Sequence, residues 1–289
     1  MDKRQITAHV NRLDLIRTLF DQSAERYERD IVPVFAPLTA DFVACAAPQP
    51  TDTALDIGTG TGLAARMLAP YVCRVVGVDI SAASLRAARG VSTAANVHYA
   101  RADIHRLPFP AGGFSLVVAS FGLNATDPAY SLRAIRRVIA PGGRLVIQEW
   151  GPADPLNLAL RDLLADYAPK QPGERLAALR EQLDAHPAPW SDQLQDVDDY
   201  REWLADLGLD VEDAAEHAPV AIRLPTAATY LAFFLAWTFR FEEVRAMDEA
   251  TRAAFYAAAH ARAAEDAQPD GSLVWQPVVF RVSARRKAR

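Results

Sequence analysis

The amino-acid sequence predicts an α/β fold built on a doubly wound parallel sheet. Between residues 51 and 150, short apolar runs rich in β-branched residues alternate with helical segments. The runs are continuously apolar, which is typical of strands buried on both faces of a parallel sheet. With 289 residues, 51% of them hydrophobic, the chain is long and apolar enough to bury such a core.

The N-terminal residues 1–50 are interpreted as a separate helical segment. Apolar residues recur at three- and four-residue spacing in residues 6–29, which predicts a helix there. Pro33 and Pro37 are expected to interrupt the helical pattern before a short helix over residues 38–46. Residues 48–52 have the composition of a linker.

The predicted α/β core at residues 51–150 contains five strands and three helices. The strands are expected at Ala54–Ile57, Val75–Val78, Val97–Ala100, Leu116–Ser120 and Arg144–Glu149. The helices are expected at Leu63–Tyr71, Ser81–Arg89 and Tyr130–Ile139.

Residues 151–289 are predicted to be mostly helical and to face the substrate, with residues 211–224 and 278–286 returning to the sheet. The helices are expected at Pro155–Tyr167, Glu174–Ala185, Gln193–Leu207, 226–240 and 248–264, and the strands at Val211–His217 and Val278–Ala284.

Composition excludes several classes of protein. The chain has 31 Lys and Arg against 36 Asp and Glu, a net charge of -5, which argues against DNA as a partner. Cys45 and Cys73 lack the spacing of a zinc site and are expected to be small buried residues, so no metal is predicted. Neither a signal peptide nor a membrane span is apparent, so a cytoplasmic location is expected.

A glycine-rich turn follows the first predicted strand. Gly58, Gly60 and Gly62 come directly after a buried strand that contains Asp56, and a helix follows them. Glycines let a ligand approach the backbone, and a helix N-terminus favours an anionic group. The dinucleotide fingerprint places its third glycine three positions after the second, whereas Gly62 follows Gly60 by two. An ordinary tight strand–helix connection is the alternative.

Two further acids follow the next two strands. Asp79 ends the second strand, where a carboxylate can accept hydrogen bonds from ribose hydroxyls, and Asp103 follows the third. A single Asp at a strand end is commonly a helix N-cap. Acids in register with the glycine turn on consecutive strands instead indicate a nucleotide-type ligand.

Segments before and after the glycine turn resemble the type 11 family of class I S-adenosylmethionine-dependent methyltransferases, most closely its ubiquinone/menaquinone C-methyltransferase group. The similar segments are Phe20–Tyr27, Leu107–Phe109, Phe114–Asn124 and Val138–Val146. The resemblance implies a Rossmann-like sheet of seven strands with N-terminal helices and a helical lid before the last strand. In the quinone group an Arg precedes the Asn, whereas here Asn124 follows Leu123 directly.

The same resemblance assigns roles to individual residues. It implies that Asp103 accepts from the adenine amino group, and that Ile80 and Ile104 contact the two faces of the ring. Asp56, the three glycines, Asp79, Ser120 and Tyr27 complete the expected site for S-adenosylmethionine and its product S-adenosylhomocysteine. Histidine suits general-base chemistry, which makes His105 a candidate catalytic residue. Tyr27, in the segment that resembles the family's entry helix, is the second candidate.

An aromatic stripe occupies one face of the helix at residues 226–241. It is interpreted either as core packing or as a lid over the acceptor pocket. The stripe consists of Tyr230, Phe233, Phe234, Trp237 and Phe241.

These features predict an enzyme that transfers a methyl group to an O, C or N nucleophile of a small molecule by in-line displacement. Two alternatives remain open at this point. One is a non-catalytic protein of the same fold that binds the cofactor, and the other is an NAD-dependent oxidoreductase.

Overall fold

A computed structural model describes residues 3–185 and 189–288, with the side chains of residues 3–12, 189 and 191 outside the description. The helices are α1 Lys3–Arg26, α2 Val32–Cys45, α3 Leu63–Leu68, α4 Ala82–Val91, α5 Pro128–Val138, α6 Pro155–Tyr167, α7 Glu174–Ala185, α8 Pro189–Gln193, α9 Val197–Asp206, α10 Ala227–Leu235, α11 Thr238–Arg245 and α12 Glu249–Glu265. The strands are β1 Thr53–Ile57, β2 Arg74–Asp79, β3 Val97–Arg101, β4 Phe114–Ser120, β5 Ile139–Trp150, β6 Leu209–His217, β7 Ile222–Leu224, β8 Leu273–Trp275 and β9 Val279–Arg286.

The predicted sheet is confirmed. Seven strands lie in the order β3-β2-β1-β4-β5-β9-β6. Strands β1 to β5 pair in parallel, whereas β9 is antiparallel to both β5 and β6. All four parallel pairings bring carboxyl ends of strands to one edge, where an open α/β sheet binds its ligands.

The chain forms two compact units. The α/β unit comprises Ala36–Gly151, Ala188–Pro219 and Val278–Arg289, and the helical unit comprises Met1–Phe35, Pro152–Pro187 and Val220–Pro277. In the α/β unit, alternate residues of one strand enter two different cores. Leu55 and Ile57 pack in a cluster with residues of α5 and α9, whereas Ala54 packs in a second cluster with residues of α2 and α3. The sheet is therefore covered on both faces.

The N-terminal helices differ from the prediction at the two prolines. Pro33 is the second residue of α2, directly after the π-helical turn that precedes this helix, and Pro37 lies inside the helix. A single π-helical turn over Tyr27–Ile31 joins α1 to α2, and the Val32 N–H donates to the Tyr27 carbonyl. An interior proline costs about 3 kcal/mol, which the complete burial of residues such as Phe42 offsets.

Four further predictions need correction. The helix expected at Gln193–Leu207 begins later, at Val197, because the Asp196 side chain starts α9 with a capping box, and Gln193 is instead the last residue of α8. The helix expected at 226–240 is two helices, α10 and α11, because the extended residue Trp237 interrupts the helical backbone between them. Within residues 211–224, β6 joins the sheet, whereas β7 pairs with β8 in a separate two-stranded sheet. Cys45 and Cys73 are exposed and not buried, since each lies at the end of an element rather than inside a core.

In the described parts of the chain, no helix has the length and apolar character needed to cross a membrane.

Candidate active site

The glycine-rich turn lies at the carboxyl end of β1. Gly58, Gly60 and Gly62 have φ values of 66°, 54° and 84°, in the left-handed region that costs other L-residues about 1–2 kcal/mol each. Gly62 is also the N-cap of α3. The turn is fixed to the neighbouring strand β2, because the Thr59 N–H donates to the Val78 carbonyl at 2.9 Å.

The three glycines differ in the space around them. A Cβ at Gly58 would collide with the backbone of Gly122, and one at Gly62 would collide with the Tyr99 ring. A Cβ at Gly60 would meet nothing within 4 Å. The turn is therefore packed at both ends and open in the middle.

Asp79, at the end of β2, holds the middle of this turn. Its Oδ2 accepts from the Gly60 N–H at 2.9 Å and its Oδ1 accepts from the Ser81 N–H at 2.8 Å. The side chain thus joins the ends of β1 and β2.

Asp56 lies under the turn, with only 1% of its surface exposed. Its Oδ2 accepts from the Thr59 hydroxyl at 2.6 Å. Burial, and to a smaller extent the charge of Asp79, raise the pKa of Asp56 to about 7. The arrangement makes Asp56 a support of the turn.

A buried hydroxyl next to these residues provides a test of whether a polar ligand fits the turn. Thr61 is 1% exposed, and its Oγ1 has no hydrogen-bond partner in the described part of the chain. Unpaired buried hydroxyls are uncommon because each costs free energy. The open space at Gly60, the adjacent Asp79 carboxylate and this hydroxyl fit a ligand with several polar groups.

Asp103 and His105 follow β3. The Asp103 Oδ1 accepts from the His105 N–H at 2.9 Å and lies 3.7 Å from His105 Nδ1. His105 Nε2 accepts from the Asp127 N–H at 3.0 Å, at the start of α5. The lone pair that a general base would use is therefore engaged in joining two loops. Ile80 and Ile104, the residues predicted to contact the ring faces, are half-buried.

Ser120, at the end of β4, begins a polar network inside the sheet. Gln148 Nε2 donates to Ser120 Oγ at 3.4 Å, and Arg281 Nε donates to Gln148 Oε1 at 3.2 Å. Arg281 Nη2 also binds the Asp41 carboxylate at 2.8 Å. Gln148 and Arg281 are buried and adjacent in register, so the Ser120 hydroxyl rests on a fixed polar layer.

The turn after β4 contains a strained residue that the sequence did not reveal. Phe121 has a φ of 55° although it is not glycine, and its ring stacks on Trp150 at 4.2 Å. Glu149 accepts from the Leu123 N–H at 2.7 Å and from Asn124 Nδ2 at 3.2 Å, while Asn124 Nδ2 also donates to the Phe121 carbonyl at 3.0 Å. The sequence offers one sign of this arrangement: Gln148 and Glu149 are consecutive polar residues at the end of an otherwise apolar strand.

Burial governs the charge of Glu149. The side chain is 1% exposed, and burial raises its pKa to about 7, although hydrogen bonds from Leu123 and Asn124 oppose the shift. Burying a carboxyl group costs free energy, and here the hydrogen bonds that it accepts from the turn offset part of that cost.

Tyr27, the remaining predicted site residue, belongs to the helical unit. It opens the π-helical turn, and its ring makes edge contacts with Phe35 and Trp237 at centroid distances of 6.4 and 6.1 Å. Tyr230, Phe233 and Phe234 of the aromatic stripe are buried in or beside this cluster, while Trp237 and Phe241 are half-buried.

The sheet, the glycine turn and the acids at the ends of β2 and β3 are typical of α/β proteins that bind nucleotide-like ligands. A family model described as a methyltransferase domain (Methyltransf_11) matches residues 55–147. The ubiquinone/menaquinone biosynthesis C-methyltransferase UbiE of Escherichia coli is 31% identical over 173 residues, which cover 52% of this chain and 68% of the relative. The chain belongs to the class I S-adenosylmethionine-dependent methyltransferases, which are enzymes, and the oxidoreductase alternative is wrong.

Other relatives agree with this family. The UbiE protein of an Enterobacter species is 29% identical over 229 residues, covering 71% of this chain and 87% of the relative. Among solved structures, a chain of the complex between the Haloferax volcanii Trm112 methyltransferase activator and a methyltransferase has a TM-score of 0.57. It is 19% identical, over 93% of this chain and 97% of that one, so the likeness concerns the fold.

Proposed function

We propose that this protein binds S-adenosylmethionine at the carboxyl edge of β1, β2 and β3 and transfers its methyl group to a small-molecule acceptor. One observation carries the proposal. The Asp79 carboxylate lies at this edge and is hydrogen-bonded to the open centre of the glycine turn, at Gly60.

The residues that would hold the cofactor are assigned as follows. Asp79 would accept from the ribose hydroxyls and Asp103 from the adenine amino group, with Ile80 and Ile104 against the ring. Charge-assisted hydrogen bonds of this kind are about twice as strong as neutral ones. The Thr61 hydroxyl would gain a polar partner, and Ser120 lies on the Gln148 layer at the next strand end.

When bound, the cofactor supplies an electrophilic methyl group on a sulfonium. The chain's own residues would orient the reactants, exclude water and support the turn next to the reacting groups. The Phe121–Asn124 turn, fixed by Glu149, is suited to this because its shape is set before a ligand binds. We assign no base, since the His105 Nε2 lone pair already accepts from Asp127.

The acceptor is proposed to be a small molecule with an O, C or N nucleophile. The relatives' names, which specify C-methylation in ubiquinone and menaquinone biosynthesis, favour carbon as a specific candidate for the methylated atom. Asn124 directly after Leu123 departs from the quinone group in the turn nearest to Glu149, so a quinone ring is not assigned.

Calorimetry tests the cofactor assignment. S-adenosylmethionine and S-adenosylhomocysteine should both bind, and NAD should not. Asp79→Ala should weaken binding by at least about tenfold, because each lost bond to a charged acceptor is worth roughly 1.5–3 kcal/mol.

Asp248→Ala is the matched control, since Asp248 is an exposed carboxylate that only caps α12. This variant should bind like the wild type. Binding of NAD, or the absence of binding by either methionine cofactor, would contradict the proposal. An Asp79→Ala affinity within a factor of two of the wild type would reduce Asp79 to a structural support.

A further inference from the structure

Arg240, in α11 of the helical unit, is a cation whose contacts among the described residues are with an aromatic ring and neutral oxygen acceptors. Its guanidinium lies over the Phe234 ring, 4.1 Å from the centroid. Its Nη1 donates to the Phe234 carbonyl at 3.1 Å, and its Nη2 reaches Asn157 Oδ1 at a long 3.4 Å. Within the described residues, no carboxylate forms an ion pair with it. An arginine of this kind has unused N–H donors.

Tyr230, in α10, presents a buried hydroxyl in the same unit. The residue is 1% exposed, and its Oη has no hydrogen-bond partner of normal geometry among the described residues. Burial, followed by the charge of Asp154, raises the pKa of Tyr230, with smaller opposing effects from Arg240 and Asn157. The hydroxyl therefore keeps its proton and can donate it in a hydrogen bond.

Asp154, an acid whose charge acts on Arg240, is hydrogen-bonded to other groups. Asp154 Oδ1 accepts from the Asn157 N–H at 2.8 Å, and its Oδ2 accepts from Trp275 Nε1 at 3.2 Å. Burial, followed by the charge of Arg161, lowers the pKa of Arg240 to about 10, so it remains protonated at neutral pH. The half-buried guanidinium therefore keeps its charge with one aromatic ring and two neutral oxygen acceptors against it.

Aromatic rings adjoin Tyr230, and Arg240 lies over the ring of Phe234, one turn further along the same helix α10. Tyr230 contacts the edge of Phe233 at 6.2 Å, Phe233 lies 4.8 Å from Trp275, and Trp275 stacks on Phe35 at 6.2 Å. A few fixed polar groups beside an apolar aromatic surface are characteristic of small-molecule sites. Two donors next to these rings suit a ligand with an anionic end and an apolar body.

We infer that Arg240 and Tyr230 form a binding site for the carboxylate of a small aromatic acid. Arg240 would donate its free N–H groups to the carboxylate, and the Tyr230 hydroxyl would donate to one of its oxygens. The ring of the ligand would contact Phe233 and Trp275. This inference concerns the helical unit alone and does not depend on methyl transfer.

Calorimetry with benzoate and benzamide, two probes of nearly equal shape, tests the inference on the full chain. Benzoate should bind at least about tenfold more tightly than benzamide, because only benzoate brings a charge to Arg240. Arg240→Gln should remove this preference. Tyr230→Phe should weaken benzoate binding roughly fivefold, as expected for the loss of one hydrogen bond.

Arg252→Gln is the control, because it removes a partly buried arginine of α12 in the same unit. It should leave benzoate binding unchanged. Circular dichroism and thermal unfolding identify variants that do not fold, and Arg240→Lys, which retains the charge, then replaces Arg240→Gln and should weaken but not abolish the preference. Equal binding of the two probes, no binding of benzoate, or an unaltered preference in Arg240→Gln would overturn the inference, whatever the result with S-adenosylmethionine.

Discussion

Two turns at the carboxyl ends of the neighbouring strands β1 and β4 reach similar backbone conformations by different means. The turn after β1 places glycine at each left-handed position, including Gly58 at φ 66°. The turn after β4 places Phe121 at φ 55°, where a side chain is strained. Glycines allow the left-handed positions of the first turn, which is also bonded to Val78 and Asp79 of β2, whereas the non-glycine residue of the second turn is held by Glu149 and Gln148 of β5.

At this one edge of the sheet, one turn owes its left-handed residues to glycines in its own sequence, and the other owes its strained residue to contacts with a distant strand. In the β1 turn the glycines adopt left-handed φ values without steric strain, because glycine has no Cβ atom. The β4 turn is held by hydrogen bonds to β5: the Phe121 N–H donates to the Gln148 carbonyl, and Glu149 accepts from Leu123 and Asn124. Residues that receive their conformation from distant partners should respond to different mutations than residues that do not.

The largest effect is expected for Gly58→Ala. The new methyl group adds left-handed strain and a collision with the Gly122 backbone, so the free energy of unfolding should fall by roughly 2–5 kcal/mol. Gly60→Ala is the matched control, since its φ is similar but its surroundings are open, and it should cost only about 1 kcal/mol. Urea denaturation measures both, and equal losses would show that space at Gly58 is unimportant.

Glu149→Ala should have the next largest effect. It leaves the Leu123 N–H and the Asn124 amide without their acceptor, which should cost roughly 2–4 kcal/mol. Glu149→Gln keeps one acceptor oxygen and should recover part of this loss. Near-ultraviolet circular dichroism should change as well, because Phe121 stacks on Trp150.

Glu212→Ala provides the comparison for Glu149, as it removes an exposed glutamate of β6 that pairs with Arg285. Exposed pairs contribute about 0–1 kcal/mol, so this variant should be nearly neutral. A Glu149→Ala variant as stable as Glu212→Ala would mean that the β4 turn holds its shape without the carboxylate.

The smallest effect concerns pH. The pKa of Glu149 is about 7 in the folded protein and about 4.3 in an unfolded chain. Between these values the folded state retains a proton that the unfolded state has lost, so stability falls as the pH rises through this window and levels off above pH 7. Asp56, whose pKa is also raised, changes the stability in the same direction. Its contribution is the same in the wild type and in the Glu149→Gln variant, so it cancels when the two are compared.

Glu149→Gln removes this dependence. Relative to the wild type, its free energy of unfolding should therefore improve by roughly 1–3 kcal/mol between pH 5 and pH 8. Urea denaturation of both proteins at the two pH values measures the difference. A constant difference would contradict the raised pKa of Glu149.

The same contrast explains what the sequence could predict. The strands and the order of Gly58, Asp79 and Asp103 along the sheet edge follow from local patterns of apolar residues, glycines and acids. The structure places these residues at the ends of β1, β2 and β3 as expected. Their roles toward the cofactor stay predictions.

Features that depend on distant partners were not predictable. Nothing near Phe121 indicates that Glu149 holds it, and nothing near Arg281 indicates its buried bonds to Gln148 and Asp41. The pairing of β7 with β8 joins segments separated by three helices. Pro37 inside α2 shows, in addition, that burial can override a helix-breaking residue.

The position of β9 has a consequence for the order of folding. Strand β6 pairs with β9 alone in the sheet, and residues 218–278 must be made between the two strands. During synthesis β1 to β5 can therefore assemble first, while the exposed edge of β5 and the whole of β6 wait for a partner. Closing so long a segment is entropically costly, so the docking of β9 is a natural late step, and the unpaired β5 edge is where an incompletely made chain is most exposed to aggregation.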